Sequence, residues 1–447
     1  MERNLTSGSV LKNIAFFSLP YLLSYFLQTL YGLADLFIIG QFENAAATTA
    51  VAIGSQVMHM LTVMIVGLAM GATVSIAQAV GAGDKRRASA SAGNTVTLFM
   101  LLSAALTALL LVLVEPIVSV MSTPAEAVDG TRAYLRICFI GIPFITAYNI
   151  ISSIFRGLGD SKSPMKFIAV ACATNIALDY LFIGAMGLGP AGAALGTTLA
   201  QAVSVVFALC SILRKKSGLS IEKQDFHPQR DIMSQLLRIG VPVAVQDGLI
   251  QIAFIIITVI ANRRGLDTAA AVGIVEKIIS FVFLVPSSML SATSALCAQN
   301  FGAGKPERAE KTLLYTTAIS VCFGLAVTLP TQFFSESAVK LFTPDAEVIL
   351  LGGQYLRGYI WDTIFAGMHF CFSGYFCACG RSELSFIHNI VAIALVRIPD
   401  VYLASKLFPD TLFPMGFATV VGSLLSVIIC LVAFALLKKH IVKSQAL

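Results

Sequence analysis

Runs of about 20 or more mostly apolar residues recur along the chain, each long enough at 1.5 Å rise per residue to cross a hydrocarbon core of about 30 Å as a helix. They predict helices over 14–40, 48–80, 94–121, 133–155, 167–187 and 190–213. A polar stretch from Arg214 to Arg238 follows, and then a second set over 239–261, 268–299, 312–334, 351–379, 386–405 and 414–437. The expected fold is therefore an all-α integral membrane protein with twelve transmembrane helices. It divides into an N-lobe over 1–213, a cytoplasmic linker over 214–238, and a C-lobe with its cytoplasmic tail over 239–447.

The two halves repeat one another. Ala77-Gln78-Ala79-Val80-Gly81-Ala82-Gly83 returns as Ala298-Gln299-Asn300-Phe301-Gly302-Ala303-Gly304, and Tyr134-Leu135-Arg136 returns as Tyr355-Leu356-Arg357, both at an offset of 221. Gly159 and Ser161 match Gly380 and Ser382 at the same offset, with Thr123-Pro124 against Thr343-Pro344 and Pro20 against Pro242 one residue to either side of it. Six spans per repeat is an even number, so the second repeat enters the membrane in the same direction as the first. Two lobes related by a pseudo-two-fold axis along the membrane normal, with a central cavity between them, are the expectation.

Composition supports this reading. Apolar residues make up 57% of the 447 positions and charged residues only 12%, with a mean hydropathy of +0.84, too little polar surface to coat a soluble protein of this size. The net charge of +6 would suggest nucleic acid in a soluble chain. Here the Lys and Arg side chains fall mainly in short loops, so nucleic acid is not an expected partner. With the N-terminus inside, about 21 of them (among them Arg3, Lys85, Arg86, Arg87, Arg156, Lys215 and Lys216) are cytoplasmic and about seven (Arg132, Arg136, Arg263, Arg264, Lys340, Arg357 and Lys406) are not. That bias of roughly three to one places both termini in the cytoplasm. The nine cysteines lie almost entirely inside apolar runs without zinc-ligand spacing and read as small hydrophobes. The first apolar run is too long for a signal-peptide core and is read as a retained helix.

Because an ionisable side chain in hydrocarbon costs at least about 2.5–3.5 kcal/mol, each one inside a span is a functional candidate. Asp35 in helix 1, Asn175 and Asp179 one turn apart in helix 5, and Thr197 in helix 6 all fall roughly 7–18 Å below the same membrane edge, a depth match that lets them meet. Two carboxylates with amide and hydroxyl oxygens suit a sodium site, or a proton site; bonds that merely hold the bundle together are the other reading. The repeat position of Asp35 is Ile257, so the arrangement is one-sided. Gln28, Asn149, Gln246, Asp247 and Asp362 are candidates to line a substrate cavity, and for Asp247 and Asp362 structural bonding is an equal alternative. Arg397 and Asp400, three residues apart, are expected to pair, and His59, His369 and His388 read as isolated packing groups. Pro20 and Pro242, early in helices 1 and 7, read equally as hinges or as ordinary prolines of membrane helices. No hydrolase, phosphate-loop or metalloprotease pattern appears, and no enzyme activity or prosthetic group is expected.

Taken together, the two six-helix repeats, the A-Q-x-x-G-A-G turns, Leu19-Pro20 with Asp35, Gly157-Leu158-Gly159-Asp160, Asn175-x-x-x-Asp179 and Arg397-Ile398-Pro399 resemble the multidrug and toxic compound extrusion (MATE) family over essentially the whole chain. The resemblance is to the bacterial branch containing the DinF and MepA exporters. It implies an N-lobe cation site at Asp35, Asn175, Asp179 and Thr197. It also implies a monomer of the bacterial inner membrane that exports small amphipathic, often cationic, organic compounds in exchange for sodium or protons. The helix 7 glutamate of the NorM branch has no match, the nearby acid being Asp247, so only the N-lobe site carries over. A lipid-linked oligosaccharide flippase of the same superfamily is the alternative, opposed by the shortage of intramembrane Lys and Arg; a membrane-embedded enzyme is a more distant one.

Overall fold

The computed structural model describes residues 4–214 and 221–445. The basic residues Arg3, Lys215 and Lys216 of the charge bias lie outside the described residues. The first half comprises α1 (Val10–Phe42), α2 (Ala45–Gly81), α3 (Lys85–Val112), α4 (Val114–Val120), α5 (Val128–Ile140), α6 (Ile142–Gly157), α7 (Lys162–Asp179) continued by a π-helical segment (Tyr180–Ala185), and α8 (Gly189–Arg214). The second comprises α9 (Arg230–Asn262), α10 (Leu266–Val282), α11 (Leu284–Gly302), α12 (Pro306–Lys340), α13 (Ala346–Tyr359), α14 (Asp362–Ala378), α15 (Ser382–Ala392), a π-helical segment (Ile393–Arg397), α16 (Ile398–Leu407) and α17 (Phe413–Gln445). Taking α3–α4, α5–α6, α7 with its π segment, α10–α11, α13–α14 and α15–α16 each as one broken span gives six spans per half. α5 and α6 meet at a bend of 47°.

Several helices run past their apolar cores. α3 begins at Lys85 rather than 94, because its polar first turns are capped: the Asp84 carboxylate accepts from the Arg87 amide at 2.8 Å. α9 likewise begins at Arg230, inside the stretch read as linker. What precedes it is docked rather than loose. A 3₁₀ turn, Lys223–Phe226, buries Asp225, whose carboxylate takes Arg86 at 2.7 Å, while Asn94 donates to the Asp225 carbonyl at 3.0 Å and Thr97 to that of Phe226 at 2.8 Å. Pro20 and Pro242 are not early in their helices, since about three turns precede each.

The repeat is written into the hydrogen bonds as well as the sequence. Asp84 N to Ala79 O at 3.0 Å recurs as Lys305 N to Asn300 O at 2.9 Å, and Asp160 N to Phe155 O at 2.8 Å as Arg381 N to Phe376 O at 2.9 Å. Each pair sits at the offset of 221 and closes a turn through a glycine in the left-handed region, Gly83 and Gly304 in the first case, Gly159 and Gly380 in the second. Thr107 donating to Phe139 O at 3.2 Å matches Thr328 donating to Ile360 O at 3.1 Å. The ion pair of Arg136 with Glu115 matches that of Arg357 with Glu336.

The chain forms two compact units. The first is Leu19–Ala244 with Met1–Ser7 and Gly302–Gly304, and the second is Gly8–Ser18, Val245–Phe301 and Lys305–Leu447. The first packs around Ile38, Ile39, Val51, Tyr134, Leu135 and Phe139, the second around Val272, Val275, Tyr355, Leu356 and Tyr359. Large apolar side chains such as Val112, Val120 and Phe333 stay exposed, as lipid-facing positions should.

Candidate functional site

The first unit brings Asp35, Asn175, Asp179 and Thr197 together. Asp35 comes from α1, Asn175 and Asp179 from one face of α7, and Thr197 from α8, with exposures of 3%, 0%, 0% and 8%. Asp35 faces Asp179, Asn175 and Thr197. The Thr197 hydroxyl donates to Asp35 Oδ2 at 3.1 Å. α8 comes this close because position 196 is glycine: a Cβ there would stand 2.1 Å from Asp179 Oδ1. Asp179 ends the regular part of α7, and the helix then widens into the π segment, a distortion common at functional sites.

What distinguishes the cluster is what it lacks. Asp35 Oδ1, both Asp179 carboxylate oxygens and both polar atoms of the Asn175 amide are buried with no hydrogen-bond partner, and no basic residue pairs with either acid among the described residues. Two ionised carboxylates side by side in a dry interior require a counter-charge. Carboxylate, amide and hydroxyl oxygens are hard ligands that fit a sodium ion, and a proton placed on one carboxyl would equally let it donate to its neighbour. Two further residues, not singled out from sequence, belong to the cluster. Tyr31, one turn before Asp35, lies against Asp35, Thr197 and Gln201, and Gln201, one turn after Thr197, has an unpartnered Oε1. Their one-turn spacing from the predicted residues is the signal that would have found them.

The second unit gives one of its buried acids, Asp362, a fixed cation. Arg397 does not pair with Asp400. Its guanidinium reaches Asp362 Oδ2 at 3.3 Å and the Tyr359 hydroxyl at 2.7 Å, and packs over the Phe254 and Tyr359 rings. The three residues after Arg397 are regular α-helix, so the spacing leaves Asp400 within reach; the guanidinium goes instead to Asp362, which is fully buried and needs a counter-charge more than the part-exposed Asp400 does. His369 and His388 are not isolated: their rings meet at 5.5 Å, and His388 bonds Ser373 at 2.9 Å and Ser426 at 3.2 Å. A cavity of about 60 Å³ opens beside Asp362, His369, Asn389 and Arg397, walled by Phe254, Phe283 and Phe370.

Of the five residues suggested for a substrate cavity, Gln246, Asp247 and Asp362 lie in the second unit and Gln28 and Asn149 in the first. Asp362 lines the cavity just described, whereas Gln246 is tied to Ser385, which donates to it at 2.8 Å, and Asp247 is half-buried on α9. In the first unit Asn149 donates to its own helix at Ile145 O, 2.9 Å, and Gln28 is half-buried on α1.

The MatE family pattern matches the chain twice, over residues 20–181 and 242–403, starting each time at one of the two prolines. A probable multidrug resistance protein of Bacillus subtilis, YpnP, is 28% identical over 401 residues, covering 90% of this chain and 89% of that protein. The multidrug export protein MepA of Staphylococcus haemolyticus is 24% identical over 401 residues, covering 90% and 88%. A solved structure described as the outward-facing conformation of a multidrug resistance MATE family transporter of the MOP superfamily superposes with a TM-score of 0.91 at 25% identity, covering 97% of this chain and 98% of that one.

Proposed function

The chain belongs to the MatE family of multi-pass membrane multidrug efflux transporters, and from that premise we propose that it exports small amphipathic, often cationic, organic compounds in exchange for sodium ions or protons. The observation that carries this reading is the buried Asp35–Asp179 pair with its unpartnered oxygens and no basic neighbour among the described residues. A site built this way takes up a mobile cation, and taking it up changes how α1 packs against α7 and α8. Cation and substrate then favour opposite states of an alternating-access cycle, and that differential affinity is the coupling. Each positive charge moved inward gains about 2.3 kcal/mol per 100 mV of membrane potential.

Pro20 and Pro242 act as hinges in this scheme. The change from one compact unit to the other falls between Ser18 and Leu19 in α1 and between Ala244 and Val245 in α9, each within two residues of a proline that supplies no backbone donor. The protein works as a monomer of the bacterial inner membrane, with domains 1–213, 214–238 and 239–447 and with both termini in the cytoplasm.

Expression in a host stripped of its own exporters tests this directly. Accumulation of a lipophilic cation such as ethidium should fall, and an uncoupler should abolish the difference. Unchanged accumulation across a panel of cations, with an altered distribution of lipid-linked sugars, would replace the reading with a flippase.

A further inference from the structure

Arg156, which the charge bias treats as a marker of topology, is only half outside the protein. Its guanidinium carbon lies 4.3 Å from the centroid of the Tyr21 ring, and its Nε is buried with no hydrogen-bond partner. One turn back on the same face of α6, Ser152 is fully buried with an unpartnered hydroxyl, and one turn further back Tyr148 lies beside Ser152 and in the neighbourhood of Arg156 and Tyr21. These three residues make a stripe of donors along α6. Among the described residues no acid pairs with Arg156. The acid nearest in sequence, Asp160, is committed to the turn before α7, where it accepts from the amides of Lys162 and Ser163 at 3.0 Å and from the Ser163 hydroxyl at 2.7 Å.

We infer that Tyr148, Ser152 and Arg156 form an oxyanion subsite of the first unit, one that takes a carboxylate or phosphate group. A guanidinium held over an aromatic ring keeps its fork of N–H donors close to one place, and that fork matches a two-oxygen anion. The hydroxyl of Ser152 is the donor such a group would satisfy, and an anion supplies the counter-charge that Arg156 lacks among the described residues. The second repeat has no such stripe. At the offset of 221 the positions are His369, Ser373 and Cys377, and Ser373 is already bonded to His388. The subsite deepens the export reading and rests on it for one of its two sources: the anionic group belongs either to a zwitterionic substrate or to a lipid headgroup.

The test uses the full-length protein in nanodiscs of phosphatidylcholine, with rhodamine B, whose carboxylate is free, and its ethyl ester as paired probes. If the anion is the substrate's, Arg156→Gln should weaken rhodamine B binding by roughly tenfold or more and Ser152→Ala by less, with the ester unchanged within about twofold. Arg156→Lys, which keeps the charge and loses the fork, should fall between. If the anion is a lipid's, wild type should retain phosphatidylglycerol from mixed nanodiscs in native mass spectrometry and Arg156→Gln should not, with both dyes equally affected. Equal dye binding by wild type and all three variants, together with equal retention of phosphatidylglycerol, overturns the subsite. A wild type that binds neither dye yet retains phosphatidylglycerol through Arg156 counts against the export reading and for the subsite, so the two fail separately. Ser152→Ala, a small change in a buried hydroxyl, keeps the test open if Arg156→Gln does not fold.

Discussion

Both compact units bury carboxylates in the depth of a helical bundle, and Asp362 of the second is neutralised differently from the Asp35–Asp179 pair of the first. In the second unit Asp362, fully buried, faces Arg397, a cation attached to the chain and held in place by Tyr359 and Phe254. In the first, Asp35 and Asp179 face each other with no attached cation among the described residues. The same physical demand, a counter-charge for a buried acid, is met by a fixed group in one case and calls for an exchangeable one in the other. Only an exchangeable counter-charge can report the state of an external gradient, and on that ground we assign coupling to the first unit and a structural role to the ion pair of the second.

The contrast is broken most severely by removing charge from the first site. Asp35→Asn and Asp179→Asn keep side-chain size while deleting the need for a cation, and each should reduce gradient-driven export by tenfold or more with the protein still folded and inserted, checked by substrate flux and by size-exclusion profile. The reverse pattern is expected of Asp362→Asn. It strands Arg397 in the interior and should lower stability by about 3–5 kcal/mol, read as a drop in thermal midpoint, whereas the double variant Asp362→Leu with Arg397→Met should recover most of that loss. Gly196→Ala places a methyl against Asp179 Oδ1 and should force α8 outward, costing about 1–3 kcal/mol of stability and weakening cation binding beyond what that stability loss explains. The smallest effect belongs to Asp400→Asn. Since Asp400 makes no ion pair among the described residues, the variant should remain within about 0.5 kcal/mol of wild type and export normally.

The architecture and the first site were largely legible before the structure, for the same reason. A membrane restricts depth, so counting residues from a span end at a known rise places side chains in one dimension, and Asp35, Asn175, Asp179 and Thr197 came out at matching levels. Repeat register added a second constraint, and the recurrence of the Asp84–Ala79 bond as Lys305–Asn300 shows how closely local geometry follows it. What depth counting cannot give is rotation about a helix that departs from 3.6 residues per turn. Nor can it show which neighbouring helix presents a buried acid: Arg397 turns to Asp362 of α14 rather than to Asp400 of its own helix, and that choice is hidden in the sequence. Nor does an apolar-run criterion see helix beyond the hydrocarbon, so from sequence the first turns of α3 read as loop and those of α9 as linker. Position 196 was silent for a different reason: its part in the site is the absence of a side chain, visible only once Asp179 is known to lie opposite.

The assignment of coupling to the first unit is tested most directly in proteoliposomes, with sodium and proton gradients imposed separately and substrate flux followed for wild type, Asp35→Asn and the double variant of Asp362 and Arg397. One of the two gradients should drive wild type and the double variant, and neither should drive Asp35→Asn although it still binds substrate. Near wild-type flux by Asp35→Asn, or loss of gradient dependence in a folded double variant, would contradict the assignment.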